Sequence, residues 1–487
     1  MGSAQATKHT HPLIFNSLPF LVFIAAFLPV YFALRGRARL LWCLASSYFF
    51  YGWWDWRFLS LIIFSTGLDF VLGRAIGDTE DQPTRKRLLL VSMVVNLGFL
   101  AFFKYFNFFI GSFNEMANGL GWQPGYNTLY IILPVGISFY TFQSMSYTID
   151  IYRRQIPVER NFLRFATFIS FFPQLVAGPI VRASEFLPQF QRDRKFEGER
   201  LIRGLGQILW GFFKKVAVAD SLAPFVDQCF AEPDFFSSSH LLIGVFFYAF
   251  QIYCDFSGYS DIAIGLARIM GFDFPNNFKT PYFSKNFSEF WTRWHITLSS
   301  WLRDYLYIPL GGNRGGTLFT YRNLMLTMLL GGLWHGASWV FVFWGFLHGG
   351  YLVVQRLTGK PVGKALDRIG VPRPAKNALY IGIVFFFTCF AWIFFRAPDF
   401  GIALDVIGGI GGLENFSFGS VVNKFVVLKG FVLIAILLTI EIADLRLDSY
   451  NRLLTQPAYR VVSFAVLLLL LAFFGTFDSD AFIYFQF

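Results

Sequence analysis

Long apolar runs, separated by short clusters of arginine and lysine, dominate the chain. A helix that crosses a bilayer needs roughly 20 mostly apolar residues, within about 17–25. The stretches that approach this are Leu13–Leu34, Leu40–Trp54, Phe58–Ile76, Leu88–Phe113, Thr128–Ile149, Leu201–Ala219, Leu241–Ala267, Leu379–Arg396, Phe425–Ile442 and Val461–Thr476. Two segments follow a different pattern. Asn161–Ile180 is apolar but broken by Pro173, Gly178 and Pro179, which predicts entry into the membrane and return. Leu318–Val354 is too long for one crossing and carries Gly331, Gly332, His335 and Gly336 near its middle, which predicts a helical hairpin. The pattern predicts an all-α polytopic membrane protein with about 10–12 spanning helices plus re-entrant segments. It reads as one membrane domain over residues 1–487.

Composition supports this class. Hydrophobic residues make up 55% and charged residues 15%, against about 25% charged in an ordinary soluble domain. With 65 phenylalanines among 487 residues, no soluble fold has the interior to hide that much apolar surface. A disordered chain, a disulfide-rich module and a typical cytosolic enzyme are excluded. The four cysteines, Cys43, Cys229, Cys254 and Cys389, show no metal or disulfide spacing. Leu13–Leu34 lacks a small-residue cleavage site and reads as a first span, not a removable signal.

The formal charge of +11 would suggest nucleic acid in a soluble protein; here it belongs to the loops, and no nucleic-acid partner is expected. Arg35–Arg39, Arg74–Arg87, Arg153–Arg164, Arg182–Arg203, Arg268–Arg322, Arg356–Lys376 and Arg446–Arg460 are basic. Gly111–Asn127, Asp220–His240 and Ala397–Asn423 are poor in Lys and Arg. Placing the basic loops in the cytoplasm makes every span alternate, provided that Asn161–Ile180 and Leu318–Val354 each return to that side. Both termini then lie on the extracytoplasmic side. No internal repeat is visible, which weighs against a transporter built from repeated halves.

Ionisable side chains at membrane depth are costly and mark candidate function. Asp69 and Lys104 sit inside spans, where an interhelical polar contact or a snorkelling chain is the plain alternative. Gln251 and Asp255 share one helix face and can line a polar cavity or lock two helices together. His335, flanked by Gly331, Gly332, Trp334 and Gly336, lies about 20 Å along its helix from Arg322, at 1.5 Å per residue. That is within the bilayer. A buried imidazole there can act as a base or make a structural hydrogen bond. His295 stands among Trp291, Trp294, Trp301, Arg293 and Arg303, a pattern that suits a membrane-surface anchor or a site for the phosphates and base of a nucleotide-type donor.

Several segments in fixed order resemble the membrane-bound O-acyltransferase (MBOAT) family. They are Tyr253–Gly265, Asn277–Tyr282, Phe290–Trp301, Arg303–Gly312 and Gly331–Gly336, spanning residues 253–336. The pattern is most similar to the bacterial alginate O-acetyltransferase branch, with the D-alanyl transferases as more distant relatives. The resemblance implies a helical shell around a membrane-crossing tunnel in the bacterial inner membrane, with Gln251, Asp255 and Trp334 as tunnel-lining candidates. His335 matches the family's invariant catalytic histidine, and His295 its second histidine position. The tail at 482–487 could be an aromatic belt; it also resembles a C-terminal tyrosine motif of this branch, which makes Tyr484 a candidate acyl carrier.

What the resemblance implies is transmembrane acetyl transfer. A cytoplasmic thioester, acetyl-CoA, would dock at Arg268, Lys279, Lys285, Arg293 and Arg303, with no permanently bound cofactor or metal. An SGNH-type acetyltransferase on the outer face, working with the polysaccharide synthesis and export machinery, would pass acetyl to an exported polysaccharide such as alginate or cellulose. A carrier-protein thioester bearing D-alanine or another acyl group is the alternative donor, and a transporter the alternative from another class.

Overall fold

The computed structural model describes residues 13–192, 194–412, 424–447 and 449–476. The tail with Tyr484 lies outside the described residues. Among the described residues the regular structure is helical, with no strand. Polar side chains open several helices. Ser17 accepts from the Phe20 N–H at Leu18–Ala33, Asp81 from Thr84 at Gln82–Leu100, and Asp399 from Ile402 at Phe400–Gly411. Each satisfies a donor that the first helical turn leaves unpaired.

Seven helices among the described residues are long and apolar enough to cross a membrane, fewer than the about 10–12 that apolar runs suggest. Leu18–Ala33 is one of the shorter apolar helices. The Thr128–Ile149 run departs most from expectation: residues 128–136 carry no helix, and winding starts at Ile137 after Gly136, whose φ is +76°. Every side chain from Ile137 to Ile151 is buried. Protein surrounds this helix, so irregular backbone can precede it at membrane depth. Two stretches expected as loops also contain helices, Asp220–Ala231 and Phe400–Gly411. Phe225, Val226 and Phe230 of the first are buried, which pays for ordering it.

The hairpin takes the expected form, and Asn161–Ile180 is broken where its prolines and glycine predict. In Asn161–Ile180 a helix at Phe162–Ser170 stops at Phe171, and Pro173 begins a short separate turn, Phe172–Leu175. Leu318–Val354 becomes the paired helices Thr317–His335 and Trp339–Arg368, turning at residues 336–338. Glycine permits their contact. A Cβ on Gly332 would stand 2.2 Å from the Phe341 carbonyl oxygen, and one on Gly345 2.2 Å from that of Met328.

The Ser238–Ile269 helix is the axis of the molecule and is almost wholly buried. Gly258 and Gly265 meet Gly211 and Gly204 of the helix that starts at Gly198. Cβ atoms at any of these positions would come within 2.6–2.7 Å of a facing carbonyl oxygen. Small residues thus let two backbones touch along two helical turns. Two aromatic-rich cores flank this axis. One gathers residues 13–190 with 256–274, 298–302 and Trp334; the other gathers residues 213–254 with most of the buried apolar residues from Tyr282 to Leu437.

Polar bonds collect the basic loops on one face. Asp78 binds Arg160 (2.5 Å) and Glu80 binds Arg154, joining the loops at 74–87 and 153–164. Asp304 accepts from Arg182 at 2.7 Å, and its carbonyl from Arg153 at 3.2 Å. Arg200 pairs with Asp273 at 3.0 Å. Away from them, Arg396 pairs with Asp227 at 2.7 Å and the Ser238 hydroxyl donates to the Gly409 carbonyl at 2.6 Å, joining two of the Lys- and Arg-poor segments.

Candidate active site

His295 is held from its backbone outward. It sits in the left-handed region (φ +42°) before the Ile296–Leu302 helix, a conformation that costs a non-glycine residue energy and is found where surrounding structure imposes it. Asn277 supplies the constraint. Its carbonyl accepts from the Ile296 N–H at 2.9 Å, and its Oδ1 faces Thr297 N (3.2 Å), Thr297 Oγ1 (2.9 Å) and His295 Nδ1 (3.1 Å). Oδ1 takes the Thr297 N–H and is therefore an acceptor, so Nδ1 carries the ring hydrogen and Nε2 the lone pair. Nε2 is buried with no hydrogen-bond partner among the described residues.

His335 ends the Thr317–His335 helix. The last carbonyls of that helix are capped from another. A widened turn, Ala101–Tyr105, brings Lys104 Nζ to the Trp334 and His335 carbonyls (2.7 and 3.0 Å) and the Tyr105 hydroxyl to that of Leu333 (2.8 Å). Lys104 is thus neither idle nor snorkelling: it fixes the helix end that presents His335.

The two imidazoles face each other with ring centroids 6.5 Å apart. Trp334 packs 6.1 Å from His295 and 5.0 Å from His335. Phe256 lies 4.6 Å from His295, and Trp344 and Phe395 lie 5.1 and 5.2 Å from His335. Phe256 and Trp334 belong to one core and Trp344 and Phe395 to the other, so the histidines stand on the seam between them. The Nε1 atoms of Trp334 and Trp344 are also buried without a hydrogen-bond partner. Orphaned polar atoms are rare in a finished interior; here three belong to His295, Trp334 and Trp344, rings packed about one another and His335. Two imidazoles at this spacing can share a small polar group, one withdrawing a proton while the other orients it.

His348 was visible as a histidine but had no assigned role in the sequence. It is fully buried, 4.7 Å from Trp344 by ring centroids, and neither ring nitrogen has a hydrogen-bond partner among the described residues. The signal was present: Trp344, His348 and Tyr351 recur at helical spacing and share one face. Asn277 was read as motif alone, because its contact with His295 joins residues 18 apart across a loop.

The basic candidates separate. Lys285 N–H and the Arg293 guanidinium both bind the Glu289 carboxylate (2.9 and 2.7 Å), and the Lys279 N–H donates to the Arg293 carbonyl at 2.9 Å, so these three share a segment. Arg268 instead binds Gln207, and Arg303 binds Asp304 at 2.7 Å. Burial pushes the Asp304 carboxyl up, but hydrogen bonds from Arg303 and Arg182 outweigh it and hold it below the usual carboxylate range. Asp255 is tied to Lys215 at 2.6 Å, and Lys215 also to Asp220 at 2.7 Å. This ion pair ties the Ser238–Ile269 helix to the widened turn at Phe213–Ala219. Gln251, one turn away, is buried with its Oε1 lacking a hydrogen-bond partner among the described residues.

Residues 153–397 match the model of the MBOAT, membrane-bound O-acyltransferase family. The chain is 42% identical over 409 residues to the probable alginate O-acetylase AlgI of Azotobacter vinelandii, covering 84% of this chain and 79% of that protein. Its identity to the probable alginate O-acetylase AlgI of Pseudomonas aeruginosa is 43% over 410 residues, covering 84% and 76%. It is 39% identical over 441 residues to the peptidoglycan O-acetyltransferase of Helicobacter pylori, covering 83% and 81%. A multi-pass helical membrane protein with paired buried histidines, the chain belongs to the membrane-bound O-acyltransferase family and is an acyltransferase.

Proposed function

We propose that this chain transfers acetyl groups from a cytoplasmic thioester, acetyl-CoA, toward the hydroxyls of an exported polysaccharide. The observation that carries the reading is the facing of His295 and His335 across a buried seam rich in orphaned polar atoms. The names of the similar proteins, alginate O-acetylases and a peptidoglycan O-acetyltransferase, support a polysaccharide acceptor. In this reading His335 is the base. It takes the proton of an acceptor hydroxyl as that oxygen attacks the thioester carbonyl carbon; a C–O bond forms, the C–S bond breaks, and the proton passes to the departing thiolate. His295, with Nδ1–H bound to Asn277 and Nε2 free to accept, orients the acceptor. Lys279 and Lys285, exposed on the basic face, are the donor's anchors with Arg293 of the same segment, and Arg268 and Arg303 would contribute from their separate positions. On the outer side an SGNH-type acetyltransferase would receive the acetyl group, with Tyr484 as carrier, and the termini would lie outside the inner membrane.

Replacing His335 by Ala is expected to reduce polymer acetylation about 10²–10⁴-fold with protein abundance in the membrane unchanged. Wild-type acetylation in that variant would remove His335 from the chemistry and leave transport without covalent transfer as the better account. Purified protein with labelled acetyl-CoA, compared with an acylated carrier protein, separates the two donors.

A further inference from the structure

Away from the histidines, a cavity of about 360 Å³ opens on the basic face, lined by Arg37, Arg39, Arg164, Arg192 and Arg194 with no carboxylate among its described lining residues. Asp193, between the last two, lies outside the described residues. These arginines come from three segments far apart in sequence. Some arginines elsewhere on this face do have carboxylate partners: Arg182 with Asp304, Arg200 with Asp273, Arg203 with Glu199. Arg37, Arg164 and Arg192 form no ion pair with a described residue, and the Nε atoms of Arg164 and Arg194 are buried without a hydrogen-bond partner among the described residues.

The site is built rather than incidental. Arg39 is held by the carbonyls of Tyr31 (3.0 Å), Leu34 (2.8 Å) and Arg194 (2.5 Å), and the Arg194 guanidinium lies 4.9 Å from the Phe272 ring centroid. Asn161 caps the Phe162–Ser170 helix at the cavity wall, adding the positive end of a helix to the guanidinium charges. Charges of one sign gathered around a cavity repel unless an anion bridges them, and guanidinium groups bind phosphate oxygens in pairs. Phe190 and Phe272 form the floor and pack on Phe171 and Phe186 at centroid separations of 4.8–6.5 Å. None of the residues around His295 and His335 lines it. Leu41, Phe162 and Phe196, near the lining residues in sequence, are 51%, 46% and 59% exposed.

We propose that this cavity is a phosphate site that holds the headgroup of an anionic phospholipid of the membrane. Basic clusters at a membrane surface attract anionic lipid; this one adds a preformed recess and fixed donors.

Full-length protein, delipidated in mild detergent, is titrated with phosphatidylglycerol and with phosphatidylcholine, and retention is read by native mass spectrometry. Wild type is expected to hold one phosphatidylglycerol about tenfold or more tighter than phosphatidylcholine. The combined Arg37→Gln, Arg164→Gln and Arg192→Gln variant should lose that preference, while the corresponding Lys variant should keep part of it. Equal retention of the two lipids by wild type, or an undiminished preference in the Gln variant, overturns the site. If the triple variant does not fold, Arg37→Gln alone, at an exposed position, should lower the preference about fivefold, and no change overturns it. Displacement of phosphatidylglycerol by micromolar coenzyme A or inorganic phosphate overturns the lipid assignment in favour of a soluble phosphate. Because the readout is lipid retention, it stands or falls independently of acetyl transfer.

Discussion

Asn277 holds His295 through one oxygen that also serves both donors of Thr297. Asn277→Leu removes that acceptor and frees the imidazole to change tautomer and rotate. Activity is expected to fall about 10–100-fold, the usual effect of losing a hydrogen bond that orients a functional histidine, with the donor KM little changed. Steady-state kinetics with labelled donor checks this, and an unaltered kcat would show that the ring is held by packing alone. Lys104 poses a different question. Lys104→Met leaves the buried carbonyls of Trp334 and His335 without their donor, at a cost of about 1–3 kcal/mol. A lower melting temperature in detergent is expected, and a shift of the His335 ring should reduce turnover as well.

The irregular points of the helices here carry buried or partly buried lysines. Widened turns at Ala101–Tyr105 and Phe213–Ala219 present Lys104 and the Lys214–Lys215 pair, whose partners are helix carbonyls and the carboxylates Asp261, Asp220 and Asp255. Such turns recur at functional places because they re-aim side chains without ending the helix. The hairpin that ends at His335 depends on close approach. Gly345→Val would drive a side chain into the Met328 carbonyl and force the two helices apart, costing at least the about 1–3 kcal/mol typical of overpacking. Loss of folded protein, or acetylation lost together with stability, is the expected outcome; a stable, active Gly345→Val protein would show that the hairpin gives way more readily than its contacts suggest.

For the whole molecule, the orientation expected from the basic loops is open to direct labelling. Cysteine probes at Gly198 and Gly363 should react only from the cytoplasm, and one at Ser238 only from outside; reaction of the Gly198 and Ser238 probes from the same side would break that orientation. The proposed relay through Tyr484 is tested at one atom. Tyr484→Phe keeps the ring that an aromatic anchor needs but removes the oxygen that a carrier needs, so transfer to polymer should stop while the protein remains in the membrane. Normal polymer acetylation in Tyr484→Phe would leave the tail an anchor.

The membrane class, the hairpin at Leu318–Val354, the break in Asn161–Ile180 and the histidines worth testing were all legible from residue order. Lipid imposes apolar runs of set length on the chain, and glycine and proline mark where helices end. The true helix limits were less legible: Ile137–Tyr152 lies inside protein, where the length rule set by lipid does not apply. What only the tertiary structure decided is which polar groups meet. Asn277 reaches His295, Lys104 reaches the end of a helix 230 residues away, and Asp255 locks onto Lys215. The arginines of three separate segments surround one cavity. Hydropathy along a chain records each residue's preference for lipid or water. The pairing of buried charges and hydrogen bonds depends on distances between distant segments, and those exist only once the helices have packed.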